Sequence, residues 1–168
     1  MFVVLGLGSN KSFDSKTPQE LLSCAVRRLS GFIENLEVSS VYRSAAMYVT
    51  DQEDFFNMVV SGNYSGTPHQ LLDQIHLVEA EYGRDRSKEI RNGPRSLDID
   101  IELFGNLRVN EKDLIIPHER MCERAFVLKP LVEVLKKSAD DNKADIVFYE
   151  KKLKKIKDQK IECLSARN

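Results

Sequence analysis

An α+β fold, one antiparallel sheet carrying two helices on one face, is predicted by three observations on this 168-residue chain. Strand and helix patterns follow one another as strand, helix, strand, strand, helix, strand. The two helix starts repeat almost letter for letter, Thr17-Pro18-Gln19-Glu20-Leu21-Leu22 and Thr67-Pro68-His69-Gln70-Leu71-Leu72. The last strand pattern, Leu97 to Phe104, alternates apolar and acidic residues. This split βαβ order is the ferredoxin-like arrangement, and it is expected to leave the sheet face opposite the helices open for a ligand.

Each element has its own signal. Phe2 to Leu7 is a continuous apolar run that stops at Gly8-Ser9-Asn10, a buried strand ending in a turn. Thr17 is placed as an N-cap, Pro18 suits the first helical position, and Glu20 closes a capping box. Leu22, Val26 and Leu29, with Leu21, Ala25 and Phe32, form the apolar stripe of this helix. Leu36 to Arg43 and Phe56 to Asn63 read as two strands, joined by a polar loop over 44–54 that is longer than a hairpin requires. Leu71, Leu72, Ile75 and Val78 give the second helix its stripe. Beyond the acidic strand, Leu103 to Leu107 predicts a turn and a short return strand, and Pro117 to Leu135 a loop followed by a helix. The lysine-rich end, 136–168, reads as a solvated charged face around the apolar run Ile146 to Tyr149. The expectation is a ferredoxin-like βαββαβ core with a C-terminal hairpin and helix extension, one domain over 1–168.

Composition excludes several classes. A net charge of −1 gives no global field for nucleic acid. Cys24, Cys122 and Cys163 are odd in number and widely spaced, without a metal pattern, as in a reducing cytosol. No apolar run approaches membrane-spanning length, and the first residues lack the basic region of a signal peptide. A cytoplasmic protein without a membrane or nucleic-acid partner is expected.

Chemistry concentrates in 84–104. Arg84, Arg86, Lys88, Arg91 and Arg95 place five cations within twelve residues, broken by Gly93-Pro94, which reads as a cationic loop. The strand period then sets Asp98 and Asp100 on one face, roughly 7 Å apart. Carboxylates this close repel each other unless a cation lies between them, and a magnesium ion is commonly held by one or two carboxylates plus substrate phosphates. Guanidinium forks suit phosphate oxygens. The residues alone leave two readings open, a half-exposed strand with solvated acids or a polyphosphate site. Phe55, Phe56 and Phe126 could equally be core. Gly6-x-Gly8 lacks the third glycine and following helix of a dinucleotide fingerprint, and His69 and His76 receive no metal role. A non-catalytic ferredoxin-like binding module and a metal-dependent nuclease or nucleotidyl transferase are the rival classes.

The string Gly93-Pro94-Arg95-Ser96-Leu97-Asp98-Ile99-Asp100-Ile101 resembles the signature of the hydroxymethyldihydropterin pyrophosphokinases of folate biosynthesis. Gly6-Leu7-Gly8-Ser9-Asn10, Val38 to Arg43, Phe55-Phe56-Asn57, Ile116-Pro117-His118 and Arg124 to Leu128 stand in the matching order, so the likeness spans 1–135. The resemblance implies a monomer that transfers the terminal pyrophosphoryl group of ATP to a pterin alcohol, and it raises association with other folate-pathway enzymes. It implies two magnesium ions on Asp98 and Asp100, and Arg84 and Arg95 as catalytic phosphate clamps. Arg86, Arg91, Arg124, His118, Glu79 and Ile101 would contact ATP, with Ile101 beside the adenine. For the pterin it implies Asn57 on the ring edge, Phe55 and Phe126 on the ring faces, and Gly8, Ser44, Ala45 and Ala46 completing the pocket. Four places depart from the pattern. Ser44-Ala45-Ala46 stands where relatives often carry Thr-Pro-Pro, Asn92 where Trp is common, Glu119 where Tyr is common, and Asp113 where Arg is common. A looser first loop and altered nucleotide contacts are the expected consequences.

Overall fold

The computed structural model describes residues 1–47, 51–87, 90, 93–137 and 143–164. Two strands run antiparallel through the middle of the sheet, β1 (Phe2–Ser9) and, later in the chain, a nine-residue strand over Phe55–Asn63. Phe2 lies opposite Asn63 and Ser9 opposite Phe56. Between them in sequence come α1 (Pro18–Leu29), β2 (Glu34–Val38) and β3 (Val41–Ser44), so the strand over Phe55–Asn63 is β4. α2 (Pro68–Glu81) and β5 (Asp98–Phe104) complete the core. β5 pairs with β1, while β2 and β3 both pair with β4, which is the ferredoxin-like order. Both helices start as the sequence predicts. Thr17 accepts from the Glu20 N–H and returns its own N–H to the Glu20 carboxylate at 2.8 Å; Thr67 and Gln70 repeat the exchange. Each cap is worth about 1 kcal/mol.

Four expectations need correction. The stretch Leu36 to Arg43 is two strands, because Ser39 turns aside and uses its hydroxyl, at 3.0 Å, to accept the Val59 N–H. Glu133 takes both the N–H and hydroxyl of Ser40, fixing the step between β2 and β3. The turn after β5 does not return to it: β6 (Val109–Asn110) pairs with β7 (Ile115–Ile116) in a separate ribbon. The face opposite α1 and α2 is not open. Val3, Leu5 and Leu7 of β1 point to the core under α1 and α2, but Val4 and Val59 point the other way into a second core. That core is built by α3 (Ala125–Lys137), through Leu128, Leu131 and Leu135, and by α4 (Lys143–Leu153). The lysine-rich end is therefore structural as well as charged. Tyr149 is buried, Ile146, Leu153 and Ile156 pack beside it, and β8 (Ile161–Leu164) adds to the edge at β3. Among the described residues no helix is long and apolar enough to cross a membrane.

What stays open is a cleft at the Ser9 end of β1, where Gly6 and Gly8 replace side chains on the face that α3 covers elsewhere.

Candidate active site

Strand register assembles the site. Gly8 lies opposite both Asp98 on β5 and Asn57 on β4, and Gly6 lies opposite Asp100. A cleft of about 260 Å³ forms over these glycines, with both aspartates, Arg84, Arg95, Arg124, His118 and Phe126 on its walls. Gly8, Ser44, Ala45, Phe55, Asn57 and Arg86 line it as well. Ala46 does not, although its neighbours Ala45 and Met47 do. The Ile101 side chain, 4% exposed, lies in the core beneath α1 and α2. Glu79 is completely buried behind the arginines. Arg91, Asn92 and Lys88 lie outside the described residues.

The acids and arginines neutralise one another in chains. Arg84 bridges Glu79 and Asp98 through Nη1, and Arg95 Nη1 donates to the other Asp98 oxygen at 2.6 Å. Glu79 also accepts from Arg86 at 2.6 Å and from the Ile99 N–H at 2.8 Å, which fastens α2 to β5. Burial would push the Asp98 carboxyl up, but the Arg84 and Arg95 charges outweigh it and hold it below the usual carboxylate range. Asp100 faces Arg124, whose Nη1 lies 3.7 Å from Oδ2. Partial removal from water, with 39% of the side chain still exposed, and the Asp98 charge push its carboxyl up to about 7. Glu102 is raised well above the usual range, by burial first and by Asp100 second.

His118 is held neutral. Its Nδ1 accepts the Arg120 N–H at 3.2 Å, so the ring proton sits on Nε2 and can be donated. Burial and the Arg124 charge lower its pKa to about 4. On the opposite wall, Asn57 Nδ2 donates to Ser44 Oγ at 3.0 Å, which leaves Oδ1 above Gly8 as an acceptor. A Cβ at Gly8 would approach that oxygen to 3.3 Å, so the glycine keeps the acceptor accessible. The two aromatic rings each lie beneath a guanidinium, Arg95 over Phe55 at 5.6 Å and Arg124 over Phe126 at 5.7 Å.

Two contributors have no role in the sequence reading. Asn10 donates to Gln52 and to the Glu53 carbonyl, both at 3.0 Å, and accepts the Arg95 N–H at 2.8 Å. It thereby ties the end of β1 to both flanking loops. The turn Gly8-Ser9-Asn10 flags it only as punctuation. Glu102 is the other. It continues the acidic alternation of Asp98 and Asp100, so its signal was present, but alternation alone assigns it to an exposed face and Leu103 to the core with Ile101. Instead, Ile101 pairs with Leu5 and Leu103 with Val4, leaving Glu102 as the extra residue of a β-bulge. The bulge turns Leu103 to the second core and Phe104 to the first.

The fold and the site define a class, ferredoxin-like domains whose cleft sets adjacent aspartates beside converging arginines. Comparison with known proteins names the family. Residues 4–136 match the profile of 7,8-dihydro-6-hydroxymethylpterin-pyrophosphokinase, and the chain belongs to that family. It is 41% identical over 140 residues to a mitochondrial folate synthesis bifunctional protein of Arabidopsis thaliana, covering 83% of this chain but 24% of that protein. It is 37% identical over 132 residues to 2-amino-4-hydroxy-6-hydroxymethyldihydropteridine pyrophosphokinase of Haemophilus influenzae, covering 77% of this chain and 79% of that one. The crystal structure of Plasmodium falciparum HPPK-DHPS superimposes with a TM-score of 0.58 at 12% identity, covering 92% of this chain and 45% of that one, and supports the fold. The chain thus spans about a quarter of the length of the bifunctional plant relatives.

Proposed function

We propose that this chain is an ATP- and magnesium-dependent pyrophosphokinase of folate biosynthesis. It moves the terminal pyrophosphoryl group of ATP to the hydroxymethyl group of 6-hydroxymethyl-7,8-dihydropterin. One observation carries the reading: Asp98 and Asp100 share a single cleft with Phe55, Phe126 and Asn57, whose Oδ1 lies over Gly8. The family membership and the names of the relatives support it.

The donors fit magnesium, since Asp98 and Asp100 offer hard carboxylate oxygens from one strand face and the remaining ligands would come from phosphates. Asp98 and Asp100 would hold two such ions, whose charge lowers the barrier at phosphorus and favours the alcohol oxygen as nucleophile. The pterin hydroxyl oxygen attacks the β-phosphorus and releases its proton to water, the bond from that phosphorus to the α-phosphate bridging oxygen breaks, and AMP leaves with that oxygen. Arg84 and Arg95 trade Asp98 for the phosphates, and Arg86 and Arg91 assist. His118 donates from Nε2 to a phosphate oxygen without adding charge. Asn57 Oδ1 accepts from the ring edge, and Phe55 and Phe126 offer their faces by offset stacking once the guanidiniums have left them. Nucleotide binding first and pterin second follows from that exchange. The whole of 1–168 acts as one cytoplasmic, monomeric domain, and the bifunctional naming of relatives supports association with other folate-pathway enzymes.

The test is chromatographic. ATP, Mg²⁺ and the pterin alcohol should yield AMP and the pterin pyrophosphate, with no AMP when the pterin or the metal is withheld. Asp98→Ala and Asp100→Ala should each lower turnover roughly 1,000-fold while the fold survives, as expected when several kcal/mol of charge stabilisation is lost. AMP release that ignores the pterin, or near-normal turnover in either variant, would sink the proposal.

A further inference from the structure

Glu102 takes no part in the chemistry above, yet it is the most deeply set carboxyl lining the cleft. Its side chain is 1% exposed, against 21% for Asp98 and 39% for Asp100. The bulge on β5 aims it across Gly6, where a Cβ would come within 2.7 Å of its Oε1. The carbonyl of the same residue accepts the His118 N–H at 3.0 Å. A bare glycine and a strand irregularity together make room for one buried acid.

Two buried side-chain atoms on this wall lack a hydrogen-bond partner, the acceptor Glu102 Oε2 and the donor Arg124 Nε. Such orphans are costly and call for a partner in some state of the protein. Arg124 is held elsewhere, with Nη1 3.7 Å from Asp100 Oδ2 and its guanidinium 5.7 Å above the Phe126 ring. Both positions are claimed by other groups once ligands enter, Asp100 by metal and the Phe126 face by the pterin. The guanidinium carries its five N–H donors in a rigid fork, so it can turn its Nε edge to one acceptor while both Nη groups face a phosphate.

We propose that Glu102 is the seat Arg124 takes when nucleotide and metal fill the cleft, a positioning residue that frees Asp100 and Phe126 and aims the arginine at phosphate. The inference rests on the function proposed above.

The test uses the full chain with Mg²⁺ and α,β-methylene-ATP, in which the scissile bridge is blocked. The Arg124 Nε–H resonance, assigned by its loss in Arg124→Lys, should shift and gain protection from solvent exchange when both are added. Glu102→Gln, which keeps an acceptor, should show the same shift. Glu102→Leu should lose it and should raise both the Mg²⁺ half-saturation and the pterin KM about tenfold, the loss of one charge-assisted hydrogen bond. Its melting temperature should equal or exceed that of the parent, because an apolar side chain replaces an orphaned acid. An unchanged Nε–H signal in parent protein that has bound the analogue overturns the proposal, as does Glu102→Leu binding metal and pterin normally. If Glu102→Leu does not fold, the parent and Glu102→Gln spectra decide the matter. Failure of the parent to bind the analogue at all overturns the pyrophosphokinase reading itself, and this inference with it.

Discussion

Glu79→Gln separates a structural hub from a nucleotide ligand. The side chain is fully buried and receives Arg84, Arg86 and the Ile99 N–H. Glutamine keeps the shape but turns one acceptor oxygen into a donor facing cations. Removing one partner of a buried ion pair costs about 3–5 kcal/mol, because the remaining charge stays buried. Arg84, only 6% exposed, is that charge, and it retains Asp98. The Arg86 contact is at the rim, with Arg86 52% exposed, and adds at most about 1 kcal/mol. The expected loss is therefore near the lower bound, about 3 kcal/mol. For a domain of this length that corresponds to a fall in Tm of roughly 6–12 °C. Urea denaturation of the full chain measures it, with Arg86→Ala as the control that should stay within about 1 kcal/mol of the parent. A Glu79→Gln variant as stable as the parent, with weakened ATP binding alone, would refute the hub and restore Glu79 as a direct nucleotide contact.

Acidity and the C-terminal elements supply two further predictions. The Asp100 carboxyl is raised to about 7, so its contribution to ligand-free stability is complete below its unfolded value near 4 and is lost as pH rises through 7. His118, lowered to about 4, contributes stability above 6.5 that is lost as pH falls toward 4. The two slopes oppose each other between 4 and 6.5, so single variants are diagnostic: Asp100→Asn should make Tm climb more steeply with pH, and His118→Gln should make it fall. Variant curves parallel to the parent would refute both assignments. Gln159→Ala should cost about 1 kcal/mol in urea denaturation, because its amide accepts the Ala125 N–H at 2.8 Å and donates to the Glu123 carbonyl at 2.7 Å, closing the start of α3. An unchanged midpoint would show that α3 needs no such cap.

Local signals carried the core. Thr17 and Thr67 announce helices because a cap, a proline and a closing Glu or Gln act within four residues. The Asp98–Asp100 pair announces itself because strand period is a local property. The packing of α4 and β8, beyond the helix expected before Leu135, is illegible for the opposite reason. Ile146, Tyr149, Leu153 and Ile156 are scattered among lysines, and what they pack on is α3 and the turn at Met121–Glu123, which in turn cover Val4 and Val59 on the reverse side of β1 and β4. The continuous run Phe2 to Leu7 contained that information, since a strand apolar on both faces needs a cover on both. Glu102 shows the limit of periodicity more sharply. It stays on the cleft face with Asp98 and Asp100, as alternation has it, but one extra residue in the pairing with β1 sends Leu103 to the second core, and pairing is not written in β5 itself.

The same distinction governs the arginines. Counted along the chain, the loop before β5 is a cluster of positive charge awaiting an anion. In the fold, Arg84, Arg95 and Arg124 each already face an acid, and two of them also cover an aromatic ring. Their resting partners come from α2, β4, β5 and α3, which no local pattern can join. Ligand entry is thus an exchange of partners rather than the filling of a bare charged pocket. Under the pyrophosphokinase reading proposed above, triphosphate would draw the guanidiniums off Asp98 and Asp100, and the movement that frees the acids for metal would uncover Phe55 and Phe126 for a flat ring. The binding order proposed above would then be a property of the resting ion pairs, and neither the acids nor the rings acting alone would produce it.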